Sequence, residues 1–170
     1  MASLAQANSI SDSKTIEVGQ VLIIPGAGVV GAVKKTVNYS PGRSTSFMWP
    51  VNGCVEASFG SKVDKAVNKG IDIRAGEGMN VVASRGGKVV YCDAYLKGFG
   101  QTVIIDHMDG FQTVYSYNSD ILVSVGDIVQ QRDVIARVGS SGRAKEPMLH
   151  FEIRKNGEPQ NPELYLSRSR

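Results

Sequence analysis

The sequence predicts an all-β protein built on an antiparallel sheet, and three observations support this prediction. Short runs of β-forming residues recur beyond residue 47, for example Val89-Val90-Tyr91 and Thr102-Val103-Ile104-Ile105. Glycine-bearing turns separate these runs at short intervals. No stretch has the sustained apolar period of about 3.6 residues that marks an amphipathic helix. Short strands that alternate with turns are typical of antiparallel sheets.

Length and composition limit the class of protein. A chain of 170 residues suits one domain with an appendage. The hydrophobic fraction of 42% and the charged fraction of 21% are ordinary for a soluble globular protein. The net charge of +3 is spread without a dense lysine or arginine cluster, which argues against a nucleic-acid partner. No apolar run approaches the roughly 18 residues that span a bilayer, and no signal peptide is visible.

The N-terminal segment predicts a short helical turn that ends at Asn8 and a strand from Val21 to Ile24 that stops at Pro25. The stretch from Val18 to Pro25 resembles the last strand of a LysM glycan-binding module, commonly Val-Gly-Gln-x-Leu-x-Ile-Pro. We therefore interpret residues 1–25 as a partial LysM segment, with an unrelated N-terminal arm as the alternative. Residues 26–46 are rich in Gly, Ser and Thr and predict a linker.

The strand Met148-Leu149-His150-Phe151-Glu152 is the centre of the candidate site. Side chains two residues apart on a strand point to the same face. Met148 and His150 should therefore share one surface, while Leu149 and Phe151 should pack into the core. Asp72 is the predicted partner of His150, which we expect to be a partly buried imidazole hydrogen-bonded to that carboxylate or to a backbone carbonyl.

Three further residues have structural rather than functional predictions. His107 follows a strand and precedes Gly110, so we expect it in an exposed hairpin turn. Cys54 and Cys92 either form a disulfide or are two small buried apolar residues.

The segments around Asp72 and His150 resemble the two signatures of the lysostaphin-type (LytM) zinc endopeptidases of bacterial cell walls. That family reads His-x-x-x-Asp in the first signature and His-x-His in the second, whereas this chain has Asn68 and Met148 at the leading positions. The resemblance covers residues 47–166 and leaves residues 167–170 as a tail. It implies the antiparallel sheet scaffold of that family, which is similar to a duplicated hybrid motif.

The resemblance also implies a degenerate metal site. Catalytic zinc takes three protein ligands and keeps one position for water. The family's ligands fall on Asn68, Asp72 and His150, and a neutral amide oxygen is a poor zinc donor beside imidazole. Tyr117 and Met148 stand where the family has two histidines that assist proton transfer. We therefore expect no bound metal, no other cofactor and no hydrolytic activity.

A narrower group within the family is more similar still: division-associated lipoproteins that join a LysM module to a degenerate LytM domain. These proteins typically have Asn-Lys-Gly-Ile-Asp in the first signature, as in Asn68 to Asp72, and a non-histidine residue before Leu-His-Phe-Glu. Tyr117 departs from the group, which often keeps histidine there. The resemblance implies a non-catalytic activator of N-acetylmuramoyl-L-alanine amidases. It also implies a periplasmic location, with an outer-membrane lipid anchor that precedes this chain in the full-length protein.

We expect the former substrate groove to dock the amidase, because a groove shaped for a peptide remains a concave surface after metal loss. We expect its exposed surface to include at least part of the Tyr117 and Met148 side chains. The alternatives are a passive peptidoglycan-binding module and a zinc endopeptidase with an unusual ligand set. The predicted floor residues are Asn68, Asp72, Tyr117, Met148 and His150, and the predicted rim residues are Lys69, Arg143 and Lys145.

Overall fold

A computed structural model describes residues 46–63, 66–94 and 96–167. The predictions for residues 1–25 and for linker residues 26–45 lie outside these ranges. Nearly every described element is a strand. The strands are β1 Cys54–Ala57, β2 Lys62–Val63, β3 Ala66–Val67, β4 Ile71–Arg74, β5 Asn80–Val82, β6 Gly87–Asp93, β7 Gln101–Asp106, β8 Phe111–Ile121, β9 Ile128–Val129, β10 Val134–Val138, β11 Met148–Lys155 and β12 Glu158–Gln160, followed by a short 3-10 helix at Pro162–Leu164.

The described strands form an antiparallel architecture. Ten of them join one sheet in the order β1-β4-β11-β8-β7-β6-β9, with β10 paired to β5 and β8 and β12 paired to β11. Strands β2 and β3 form a separate two-stranded hairpin. The predicted all-β fold with an antiparallel sheet is therefore confirmed. In the residues described, no helix has the length and apolar character needed to cross a membrane.

Strand β11 separates the core from the candidate site. Leu149, Phe151 and Ile153 are fully buried on its core face. Their apolar area removed from water stabilises the sheet, typically by about 1.5–3 kcal/mol for each such side chain. Met148 and His150 point to the opposite face and line a cleft. Both orientations agree with the alternation predicted from the sequence.

The two ends of the predicted 47–166 segment meet in the structure. Phe47 and Leu166 form an isolated parallel bridge. The backbone N–H of Ser167 donates to the carbonyl of Phe47 at 2.8 Å, and the indole N–H of Trp49 donates to the carbonyl of Ser167 at 3.0 Å. We refer to this pairing of Phe47 with Leu166 and Ser167 as the terminal seam.

His107 is buried, so the prediction of an exposed turn residue is wrong. Its side chain is 1% exposed, because Phe47 from a distant part of the chain packs against the ring at 5.4 Å between centroids. Nδ1 lies 2.8 Å from the carbonyl of Gly86 and Nε2 lies 2.9 Å from Oγ1 of Thr113. Burial lowers the pKa of His107 to about 4, which keeps the ring neutral.

The two cysteines are both free. Cys54 is exposed because β1 is the edge strand of the sheet, so the prediction of a buried apolar residue is wrong for this position. Cys92 is half-buried and packs against the core.

Candidate functional site

The candidate site is a cleft on the exposed face of three neighbouring strands. The register pairs His150 of β11 with Asp72 of β4 on one side and with Ser116 of β8 on the other. The β2–β3 hairpin and the loops around Phe99 and Arg143 border the resulting cavity, which has a volume of about 420 Å³. The structure brings all eight predicted site residues to this cleft: Asn68, Lys69, Asp72, Tyr117, Arg143, Lys145, Met148 and His150.

A chain of hydrogen bonds occupies the floor of the cleft. His150 Nδ1 contacts Asp72 Oδ1 at 2.6 Å, and His150 Nε2 contacts Glu152 Oε1 at 3.1 Å. Arg154 Nε donates to Glu152 Oε2 at 2.7 Å. The predicted contact between His150 and Asp72 is therefore present. Glu152 and Arg154 were not predicted, although strand alternation places both on the face of His150.

This network balances its own charges. Burial alone would lower the pKa of His150, but the hydrogen bonds to Asp72 and Glu152 outweigh burial and raise that pKa. Burial opposes ionisation of Glu152, yet its bonds to His150 and Arg154 lower its pKa. The imidazolium and the guanidinium thus compensate the two carboxylates, and buried charges persist only with such partners.

Asn68 connects the network to the hairpin. Its Nδ2 donates to Asp72 Oδ2 at 3.2 Å, while its Oδ1 accepts from the backbone N–H of Gly70 at 3.0 Å. Gly70 lies so close to β11 that a Cβ atom there would be 2.1 Å from the carbonyl oxygen of Phe151. Only glycine permits this approach, so the sequence Asn-Lys-Gly fixes the position of the turn.

Tyr117 is only 7% exposed, so its side chain is buried where the sequence predicted a partly exposed one. Its φ of +72° is rare for a residue with a bulky side chain. The strain coincides with a shift in the β7–β8 register, which turns the ring inward to 5.4 Å from His150. Burial and the nearby Asp72 carboxylate raise the pKa of Tyr117, although Arg143 hydrogen-bonds to it. The ring still borders the cleft.

The walls of the cleft combine aromatic, aliphatic and cationic groups. Phe99 contacts His150 edge-on at 5.5 Å between centroids, and the Arg143 guanidinium lies 5.8 Å from the Phe99 ring centroid. On the hairpin side, Val63 and Val67 are 40% and 60% exposed. Phe99 was not predicted, because a residue in a loop has no strand register that relates it to His150.

The residues present do not fit a catalytic zinc site. Asn68 directs an N–H group at Asp72 and its oxygen at Gly70, and both nitrogens of His150 contact carboxylates. Zinc ligands must instead offer free lone pairs. Within the described ranges, no group of three His, Cys, Asp or Glu side chains is arranged to hold a metal ion.

Comparison with known families identifies the scaffold. The model of peptidase family M23 matches residues 66–162, which is more than half of the chain. The chain belongs to peptidase family M23. This is the LytM family predicted from the two signatures. The model of the LysM domain matches residues 1–25 of this M23 chain, which agrees with the predicted N-terminal LysM similarity.

Several curated relatives are similar to this M23 protein. The murein hydrolase activator EnvC of Escherichia coli K12 is 40% identical over 121 residues, which cover 71% of this chain and 29% of EnvC. The lipoprotein NlpD/LppB homolog of Pseudomonas aeruginosa is 41% identical over 120 residues, covering 71% of this chain and 39% of the homolog. The uncharacterized lipoprotein YgeR of Escherichia coli K12 is 34% identical over 182 residues, covering 96% of this chain and 71% of YgeR. The chain thus spans well under half of the first two relatives.

Solved structures share the M23 fold. A putative peptidase M23 from Pseudomonas aeruginosa superposes with a TM-score of 0.65 at 28% identity, covering 72% of this chain and 51% of that chain. A chain of the SpoIIQ-SpoIIIAH pore-forming complex has a TM-score of 0.66 at 29% identity, covering 74% and 94%. The catalytic domain of lysostaphin from Staphylococcus simulans has a TM-score of 0.58 at 26% identity, covering 66% and 89%. Because a peptidase and a pore component share the scaffold, the site residues must decide between functions.

Proposed function

We propose that this M23 protein is a non-catalytic activator of N-acetylmuramoyl-L-alanine amidases in septal peptidoglycan splitting during cell division. The observation that carries the proposal is the closed network of Asp72, His150, Glu152 and Arg154 at the position of the family's metal centre. The similarity to EnvC, which is named a murein hydrolase activator, supports the same role.

The residues around the network argue against hydrolysis. General acid–base catalysis needs a group whose pKa lies near the working pH. Burial raises the pKa of Tyr117 from a value that is already about 10, and Arg143 hydrogen-bonds to it. Met148 has a thioether that does not titrate. We therefore expect no cleavage of crosslinked muropeptides, even when zinc is in excess.

The cleft has the composition of a protein-docking surface. Met148 is half-buried, and the exposed Val63 and Val67 side chains provide an apolar wall. Lys69 and Arg143 add positive charge at the rim. These groups complement an amidase segment that presents apolar side chains together with carboxylates.

The N-terminal segment and the relatives' names support the proposed cellular context. The LysM match at residues 1–25 supports contact with peptidoglycan. The NlpD/LppB homolog and YgeR are named lipoproteins. We infer that the full-length protein is periplasmic and tethered to the outer membrane by a lipid anchor.

Dye release from labelled sacculi by an amidase, with and without this chain, tests the proposal. Met148→Glu places a carboxylate in the cleft and should raise the half-activating concentration by about a hundredfold or more, since an unpaired charge in a desolvated contact costs about 3–5 kcal/mol. Met108→Glu is the matched control, because Met108 is 56% exposed and lies at a turn outside the cleft. Both variants should melt like the unmutated chain.

The two alternative functions predict different results. A passive peptidoglycan-binding module would sediment with sacculi but would stimulate no amidase from its own organism. The M23 peptidases among the solved structures favour an endopeptidase as the other candidate. An endopeptidase would release cleaved stem peptides without an amidase, and His150→Ala would abolish that release. Full activation by Met148→Glu would place the docking surface elsewhere.

A further inference from the structure

The backbone of Asn68 lies at the base of the β2–β3 hairpin. The backbone N–H of Asn68 donates to the carbonyl of Ser61 at 2.8 Å, and its carbonyl accepts from the N–H of Gly60 at 2.8 Å. These two bonds close the hairpin that carries the exposed Val63 and Val67 side chains into the cleft. The side chain points the other way, towards Gly70 and Asp72. One residue therefore links the apolar wall to the charged floor.

We propose that Asn68 is a positioning residue that holds the hairpin and Asp72 in place, as a shared metal ion would do in a metal-containing family member. The residue that makes the donor set unfit for zinc then supplies the structural constraint that the metal would have supplied. This inference goes beyond the proposed function, and only its activity measurement rests on that function.

An amide can make both contacts at once because it carries an acceptor oxygen and a donor nitrogen on one short side chain. Asn68 must accept a hydrogen bond from the Gly70 N–H, which forms an Asx turn, and must donate one to Asp72. Aspartate would keep the turn but would set a second carboxylate beside Asp72. Alanine would lose both contacts and leave a buried N–H group unpaired. Asn68 itself is 6% exposed, so water cannot readily replace either bond.

The constraint extends along the floor of the cleft. Asp72 accepts a hydrogen bond from Asn68 at Oδ2 and one from His150 at Oδ1. If Asp72 rotates away from Asn68, its contact with His150 must change as well. His150 in turn lies beside Phe99 and Tyr117, whose rings border the cleft. The Asn68 amide therefore couples the position of the hairpin wall to that of the aromatic wall.

The isosteric variant Asn68→Asp tests the proposal by hydrogen–deuterium exchange. Losing a buried hydrogen bond costs about 1–3 kcal/mol, so exchange in peptides covering the hairpin should be about fivefold faster or more. The half-activating concentration for the amidase should rise by about tenfold. Asn52→Asp is the matched control, since it makes the same charge change at an exposed position outside the cleft, and both measurements should stay at the unmutated values.

A second variant separates positioning from general destabilisation. Asn68→Asp combined with Asp72→Asn moves the donor to the other side of the pair and restores the original total charge. This double variant should return hairpin exchange to within about threefold of the unmutated protein, as expected for two groups that interact directly. A merely destabilised fold would not recover when a second buried residue is changed.

Four outcomes decide the matter. Recovery of slow exchange in the double variant supports the positioning role. Unchanged exchange in Asn68→Asp overturns it, whatever the amidase does. Faster exchange with an unchanged half-activating concentration still supports the positioning role and counts against the hairpin as part of the amidase docking surface. If the unmutated chain activates no amidase, the proposed function fails, while the exchange of the two variants still decides the role of Asn68.

Discussion

Protonation of His107 is a specific way to destabilise this fold without touching the cleft. Nδ1 of His107 contacts the carbonyl oxygen of Gly86, which can only accept, so Nδ1 must carry the proton of the neutral ring, and Nε2 accepts from the Thr113 hydroxyl. Burial is the main cause of the low pKa, and Arg85 lowers it further. Asp106 and Asp109 act in the opposite direction but do not overcome burial.

The size of the effect follows from the two pKa values. In the unfolded chain the pKa of His107 is the ordinary 6.5, whereas in the folded protein it is about 4. The folded state therefore favours the neutral ring, and its contribution to stability is complete above pH 6.5. That contribution declines as the pH falls from 6.5 towards 4, by about 3 kcal/mol in total.

Urea unfolding of the unmutated chain and of His107→Gln, at several pH values between 7.5 and 4, measures this contribution by comparison. The difference in unfolding free energy between the two proteins should change by about 3 kcal/mol in favour of the variant as the pH falls. The titration of His150 is common to both proteins and cancels in the difference. A difference that stays constant within about 0.5 kcal/mol across the range would refute the assignment of a buried neutral His107.

Two further predictions concern the two faces of the sheet. Leu149→Ala should lower the unfolding free energy by about 2–5 kcal/mol because it empties a fully buried site. Leu164→Ala, at a residue that is 80% exposed, should change the unfolding free energy by less than about 0.5 kcal/mol. Equal effects of the two substitutions in denaturant melts would contradict the packing described for β11. Asn68→His should raise zinc affinity by at least about tenfold by adding a third ligand to Asp72 and His150, and isothermal titration with equal weak binding in both proteins would count against that geometry.

The strand pattern predicted the fold and the face of each β11 residue, because alternation is a local property of an extended chain. The same alternation also places Glu152 and Arg154 beside His150, so their position was available in the sequence. Their role could not be predicted, since the burial of a carboxylate between an imidazole and a guanidinium depends on which strands cover it. Glu152 is 0% exposed because β8 and β4 pair with β11 on either side.

Tyr117 and His107 show where local patterns fail. The inward turn of Tyr117 depends on a register shift against β7 and a positive φ, and neither has a signature in the residue types nearby. His107 was predicted to be a turn residue because it follows a strand and precedes Gly110, but Phe47 covers it. Both errors come from contacts between residues far apart in the chain, which single-sequence patterns do not encode.

The terminal seam places the two ends of the domain, at Phe47 and at Leu166 and Ser167, next to each other. A short peptide could therefore join Ser46 to Ser167, and new ends could open at the exposed turn around Met108, on the model of circular permutation. It also sets the direction of mechanical load. A pull between Ser46 and Ser167 would first strain the Phe47–Leu166 bridge and the Trp49–Ser167 bond, and the load would reach the cleft strands only after the seam had parted.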